Sequence, residues 1–160
     1  MKEKIVEKLR AAFTDAIEIV GEFRGELTIV VKKSRIVQIC QFLRDDAELR
    51  FDSIRDVCGA DYYRPVDRFE VVYNIVSVPN KFRLRLKVRV DEADLHVPSV
   101  TGVWKGADWA ERETYDMYGI LFDGHPDLRR IYMPEEFEYF PLRKEFPLMG
   151  IPGSLPLPRK

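Results

Sequence analysis

The ten residues from Lys81 to Val90, KFRLRLKVRV, alternate cationic and apolar side chains without a break. Successive side chains of a β-strand point to opposite faces, so this period places Phe82, Leu84, Leu86, Val88 and Val90 on one side and Lys81, Arg83, Arg85, Lys87 and Arg89 on the other. A helix would scatter both sets around its circumference. The run therefore predicts a strand with one buried face and one wet or partner-facing cationic face. The preceding run FEVVYNIVSV is equally rich in strand-forming residues, and Val78-Pro79-Asn80 separates the two.

Other segments supply the rest of a two-layer fold. Ile5, Val6, Leu9, Ala12 and Phe13 recur with helical spacing and predict a surface helix ending near Thr14. AIEIVGEF and ELTIVV form a hairpin about Arg24-Gly25, with Gly21 weakening the first strand or marking a bulge. Ser34 is placed to cap a second helix whose stripe is Ile36, Ile39, Cys40 and Leu43. Between Phe51 and Tyr63 a strand near Val57 followed by a turn at Gly59 is expected. Helices on one side of a mainly antiparallel or mixed sheet make an α+β two-layer domain.

The 160 residues fit one domain, which divides into a core over 1–96, a chemistry-rich region over 97–131 and an arm over 132–160. A net charge of −1 and the lack of a nucleic-acid motif favour a solvated basic sheet face over a nucleic-acid site. An acidic protein partner for that face stays open. No apolar run approaches a membrane span, and the first residues lack the apolar core of a secretory signal, so a cytoplasmic or membrane-peripheral protein is expected. Cys40 and Cys58 share no CxxC and are read as reduced core thiols; no metal site and no cofactor site are expected.

WAERETYDMYGILFDGHPDLRR, from Trp109 to Arg130, holds the material of acid-base chemistry. Asp108 and Glu111 have capping-box spacing, and Gly119 is placed to end the helix in the left-handed conformation. Glu113 and Asp116 then lie side by side on one short helix rather than across a cleft. That suits forked pairing with Arg129 and Arg130, while Arg112 can bond Asp116 within the helix or reach outward. His125, between Gly124 and Pro126, is expected to tie down a loop, and no catalytic residue is assigned. Seven of the ten prolines lie beyond Gly124, which excludes a long helix or central strand there. Tyr132, Phe137, Tyr139, Phe140, Leu142, Phe146, Leu148 and Met149 are too apolar for a solvated tail. An extended arm fastening a neighbouring protein is expected, with wrapping of its own domain as the alternative.

Glu111-Arg112-Glu113, Asp116-Met117-Tyr118-Gly119-Ile120, Gly124-His125-Pro126, Leu128-Arg129-Arg130-Ile131 and PLRKEFPLMG closely resemble the signature of the 30 kDa subunit family of NADH:quinone oxidoreductase, respiratory complex I. The resemblance is strong over about residues 97–150. It implies a non-catalytic scaffold subunit of the peripheral arm that carries no cofactor itself, FMN, iron-sulfur clusters and quinone being held by partner subunits. It further implies docking on the larger, hydrogenase-large-subunit-like protein of the quinone pocket and contact with iron-sulfur subunits. The complex would be proton-translocating, with the chain peripheral on the cytoplasmic side of the inner membrane, or on a matrix or stromal side in an organelle. Glu111, Arg112, Glu113, Asp116, Gly119, His125, Pro126, Arg129, Arg130, Pro141, Leu142, Arg143, Lys144, Phe146 and Pro147 are the interface or structural residues that it suggests. Related subunits serve complexes with other electron donors and membrane-bound hydrogenases. A small acid-base enzyme using Glu113, Asp116 and His125, or a nucleic-acid module on Arg83, Arg85, Lys87 and Arg89, are the remote alternatives.

Overall fold

The computed structural model describes residues 1–150. Its elements run α1 (Lys2–Ala12), β1 (Ile17–Phe23), β2 (Glu26–Val31), α2 (Ile36–Asp45), β3 (Ser53–Asp61), β4 (Phe69–Ser77), β5 (Phe82–Val90), β6 (His96–Pro98), α3 (Ala107–Tyr118) and β7 (Leu121–Asp123). Five strands form a sheet of order β1-β2-β5-β4-β3, and β6 and β7 pair separately. The alternating run is β5, the central strand, parallel to β2 and antiparallel to β4. Its neighbours on both sides satisfy its backbone groups, while its two faces meet different surroundings.

One face is apolar and carries the helices. Leu27, Ile29 and Val31 of β2, Phe69, Val71, Tyr73 and Ile75 of β4, and Leu84, Leu86, Val88 and Val90 of β5 are buried against Ile5 and Leu9 of α1 and Ile36, Ile39, Cys40 and Leu43 of α2. A fully buried Leu or Ile contributes roughly 1.5–3 kcal/mol relative to its exposed state, so this shared layer is the main cohesive force. Trp104 extends it, with its indole N–H donating to the Phe51 carbonyl at 3.0 Å. The helices, sheet and core therefore agree with the α+β two-layer expectation, the sheet being mixed.

Local departures have local causes. α1 ends at Ala12, and Ala12 itself is exposed. The β1–β2 turn places both Arg24 (φ 49°) and Gly25 (φ 84°) in the left-handed region, matching a two-residue hairpin turn. The irregularity in β1 lies between Ile17 and Ile19, not at Gly21, which pairs with Thr28. A 3-10 turn over Lys33–Arg35 precedes α2, and Arg35 occupies the cap position, so Ser34 is not the cap. No turn occurs at Gly59: its pairing with Val71 of β4 carries β3 through it to Asp61, and the ring of Tyr118 takes the space a side chain would fill. Cys40 is buried, but Cys58 is only part-buried at the sheet edge.

Candidate docking site

α3 lies over β3, on the helical side of the sheet. Its start differs from the capping-box expectation: Gly106 holds the cap position without a side-chain bond, and Asp108 falls in the first turn. An acid there still favours the positive end of the helix dipole. Glu111, freed from capping, turns into the core and is fully buried. Its carboxyl accepts the Val100 N–H at 2.7 Å and the Ser99 hydroxyl at 2.6 Å, tying the loop before α3 to the helix. Burial pushes its pKa up to about 7, the Ser99 and Val100 donors opposing the rise and the nearby Asp108 charge adding to it. Glu111 thus holds the helix in place from inside, the structural one of the two roles the resemblance suggests, and not as an exposed group of a docking surface.

Asp116 is also fully buried but has the opposite surroundings. Its Oδ2 accepts three consecutive backbone N–H groups, from Ile131 at 2.9 Å, Tyr132 at 2.6 Å and Met133 at 3.0 Å. Its Oδ1 accepts from the Arg130 guanidinium at 2.7 Å. Burial alone would raise its pKa; the three N–H donors and Arg130 outweigh it and hold the carboxyl below its ordinary value. The carboxylate folds the chain back over the helix as it leaves the GHP loop.

The other expected pairings are redistributed. Arg129 is exposed and bonds Asp127 at 2.9 Å instead of Asp116. Arg112 is buried and does not pair with Asp116; it donates to the carbonyls of Arg129 at 3.1 Å and Arg130 at 3.4 Å and stacks 4.8 Å from the ring of Trp109. Glu113 does not share the direction of Asp116: it is exposed and lines a shallow groove of about 160 Å³ with Asp56, Cys58, Thr114, Tyr118 and Leu142. The His125 side chain is buried; its Nδ1 accepts from the Asp127 N–H at 3.0 Å, which leaves Nε2 to donate to the Asp108 carbonyl at 3.2 Å. The ring fastens the loop, and Pro126 follows it at the surface.

A second carboxylate catches the chain farther on. Asp61, at the end of β3, accepts the Lys144 N–H at 2.9 Å and a forked contact from Arg68 at 2.7 and 3.1 Å. Arg68 also bonds Glu92 at 2.8 Å and Glu145. Burial opposes ionisation of Asp61, yet Arg68 and the N–H groups of Lys144 and Tyr63 lower its pKa to about 2. Between the two carboxylates, Arg143 donates to the Tyr118 carbonyl at 2.8 Å and lies 4.6 Å from the ring of Phe140, while the Leu142 N–H bonds the Met117 carbonyl at 3.2 Å. Phe146 packs near Phe137, whose ring also meets Tyr139, and Pro141 is half-buried.

Gly119 is needed twice in this arrangement. Its φ of 77° ends α3, as the sequence predicts, and the ring of Phe140 would lie 2.6 Å from an added Cβ. The expected extended arm is corrected over the described residues: 131–150 forms successive tight turns, closed by Phe137 on Pro134, Arg143 on Phe140, Phe146 on Arg143 and Gly150 on Pro147. Prolines remove backbone donors, and the remaining N–H groups go to turn carbonyls and to the two carboxylates. Residues 151–160 of the expected arm lie outside the described residues.

Folding back does not hide the segment's apolar groups. Tyr132 keeps 61% of its surface and Trp109 keeps 65%, and Leu148 and Met149 are fully exposed, with Pro147 beside them. Asp61, Arg68 and Ser99 complete the site and were not singled out from the sequence, which holds no spacing that would link Asp61 to Lys144, 83 positions on; Tyr118 stood in the signature but without a role. No group of three or more His, Cys, Asp or Glu able to hold a metal occurs among the described residues. The geometry supports a rigid, partly apolar platform; the buried acids are committed to holding the chain.

The model of the respiratory-chain NADH dehydrogenase 30 Kd subunit family matches residues 29–152. Among curated relatives, the C-type subunit of NADH-quinone oxidoreductase from Roseiflexus sp. (strain RS-1) is 54% identical over 90% of this chain and 83% of its own length. A C-type subunit of the same enzyme from Rhizobium meliloti (strain 1021), numbered 2, is 51% identical over 90% of this chain and 79% of its own length. Among solved structures, a trypsin-resistant fragment of Nqo5 superposes with a TM-score of 0.66 at 34% identity, covering 80% of this chain and all of the fragment. A chain of an archaeal membrane-bound sulfane sulfur reductase covers 92% of this chain and 86% of its own length with a TM-score of 0.77, but at 20% identity it establishes the fold alone. With the signature residues of α3 built into the double carboxylate latch, and relatives at half identity over most of both lengths, this chain belongs to the 30 Kd subunit family of respiratory-chain NADH dehydrogenase, a subunit of NADH-quinone oxidoreductase.

Proposed function

We propose that the chain is a non-catalytic scaffold in the peripheral arm of the complex, and that the surface made by Trp109 and the latched segment 131–149 docks on the larger subunit that builds the quinone pocket. The observation that carries this reading is a rigidly held segment with outward apolar groups. Asp116 and Asp61 fix its backbone, while Tyr132, Leu142, Leu148 and Met149 face outward. Large apolar groups at the centre of a protein interface are where binding energy concentrates. A segment ordered before association also loses less conformational freedom on binding.

FMN, iron-sulfur clusters and quinone would then be held by partner subunits, and NADH would be the electron donor of a proton-translocating assembly. The chain would meet the membrane surface only through the complex, on the cytoplasmic side of the inner membrane; no helix among the described residues is long and apolar enough to cross a bilayer.

The test replaces Tyr132 and Leu148 by Glu in the tagged chain, isolates native membranes and measures both co-purification of the large subunit and NADH-to-quinone turnover. Both should fall together, with the isolated variant keeping wild-type stability. Full co-purification and turnover would reject this docking surface. Turnover that persists with another donor but not with NADH would reject the assignment of the donor.

A further inference from the structure

Among the described residues, the side of the sheet opposite α3 carries no helix, and its charges are unevenly distributed. Near the end of β5, Lys32, Lys33 and Arg89 share a depression with the four acids Glu18, Asp67, Asp91 and Asp94, and in the middle Lys87 and Arg64 both bond Glu70. At the other end, Arg55, Arg83 and Arg85 surround a depression of about 450 Å³ in which Glu26 is the only carboxylate among the lining residues. Glu26 is already bonded to Arg85 at 2.7 Å. Arg55 and Arg83 are exposed and have no ion-pair partner among the described residues.

The same end is partly apolar. Arg83 is paired across the sheet with Val76, which forms part of the floor, and Phe23, on the outer strand and paired with Glu26, leaves 71% of its surface exposed beyond the depression. Three guanidiniums around one carboxylate give a local positive surplus on a chain whose total charge is −1. Guanidiniums match carboxylates in planar, two-bond geometry.

We infer that this end of the sheet face, framed by Arg55, Arg83 and Arg85 with Phe23 at the adjoining sheet edge, docks an acidic polypeptide segment of another protein, with a carboxylate between Arg55 and Arg83 and, farther along the segment, an apolar side chain on Phe23. A polypeptide fits better than a nucleic acid on two counts. Glu26 and Glu70 interrupt the cationic row that a continuous phosphate backbone would follow, and the near-neutral chain supplies little long-range attraction for a polyanion. This surface lies on the other side of the sheet from the latched segment and is independent of its proposed docking.

The experiment uses the doubly reversed variant Arg55→Glu/Arg83→Glu, since both side chains are exposed and support no other group. In the assembled complex purified from membranes, phenylglyoxal labelling read by mass spectrometry should find Arg55 and Arg83 protected relative to the isolated chain, with exposed Arg10 of α1, which belongs to neither proposed surface, as an internal reference. For the isolated chain, fluorescence anisotropy with a short labelled peptide alternating glutamate and leucine should detect binding that the double variant weakens by about tenfold or more. A single-stranded DNA of similar charge should bind more weakly than the peptide. Equal labelling in complex and isolated chain, absence of peptide binding, or DNA binding stronger than the peptide's would each overturn the inference. So would protection that arises from self-association, seen as a dimer of the isolated chain by sedimentation that the double variant abolishes.

Discussion

Glu111→Gln isolates the consequence of burying a carboxyl without a cation. In the folded protein the pKa of Glu111 is about 7, against an ordinary value of 4.5, and the side chain has no exposed surface. Because the folded-state pKa is raised, the favourable contribution of the neutral acid is complete below about pH 4.5 and is lost as pH rises through about 7. A difference of about two and a half units corresponds to about 3 kcal/mol. Gln keeps the shape: its carbonyl can accept the Val100 N–H, and its amide can donate to the Ser99 hydroxyl, which can turn to Thr101 at 2.8 Å. Urea unfolding followed by tryptophan fluorescence, repeated from pH 5 to pH 8.5, should show the variant gaining on the wild type as pH rises. The gap should approach about 3 kcal/mol at the alkaline end, or roughly 6–12 °C in midpoint temperature for a domain of this size. A gap independent of pH, or a variant less stable than wild type at pH 8.5, would refute the idea that the charged form is the costly one.

Asp116→Asn should release the chain after Arg130, because an amide cannot accept three N–H groups and a guanidinium at once; the expected cost is about 3–5 kcal/mol, checked by faster hydrogen exchange at Ile131, Tyr132 and Met133. Asp61 should behave with the opposite pH sign to Glu111: its folded pKa of about 2 is depressed, so its contribution of about 2 kcal/mol is present above about pH 4 and disappears as pH falls toward 2. Comparing acid unfolding of wild type and Asp61→Asn checks this, the difference between them shrinking as pH falls. Gly59→Ala should cost about 1–3 kcal/mol in chemical denaturation, since its new Cβ would meet the Tyr118 ring at 2.5 Å and the ring is held by the packing of α3 on β3.

Periodicity carried the parts of this protein that depend on one residue's relation to its near neighbours. The two-residue repeat of Phe82–Val90 and the helical stripe Ile36, Ile39, Cys40 and Leu43 were legible because a strand or helix that buries one face repeats its apolar positions at a fixed interval. Gly119 as the end of α3 and His125 as a loop fastener follow from equally local chemistry. The motif from Glu111 to Arg130 was visible as a family signature, but not the work of each residue within it.

Tertiary structure alone decided which way those residues face. Asp108 and Glu111 have the spacing of a capping box, yet packing of α3 against the 99–104 loop draws Glu111 inward, where two donors outweigh the local alternative. A turn at Gly59 is locally reasonable, but pairing with β4 carries the strand through it and the Tyr118 ring accounts for the missing side chain. Asp61 meets Lys144 across 83 positions, and Asp116 selects Arg130 and three backbone N–H groups over Arg112 and Arg129. No sequence period encodes such contacts, because their partners are brought together only when sheet, helix and returning chain have closed around them.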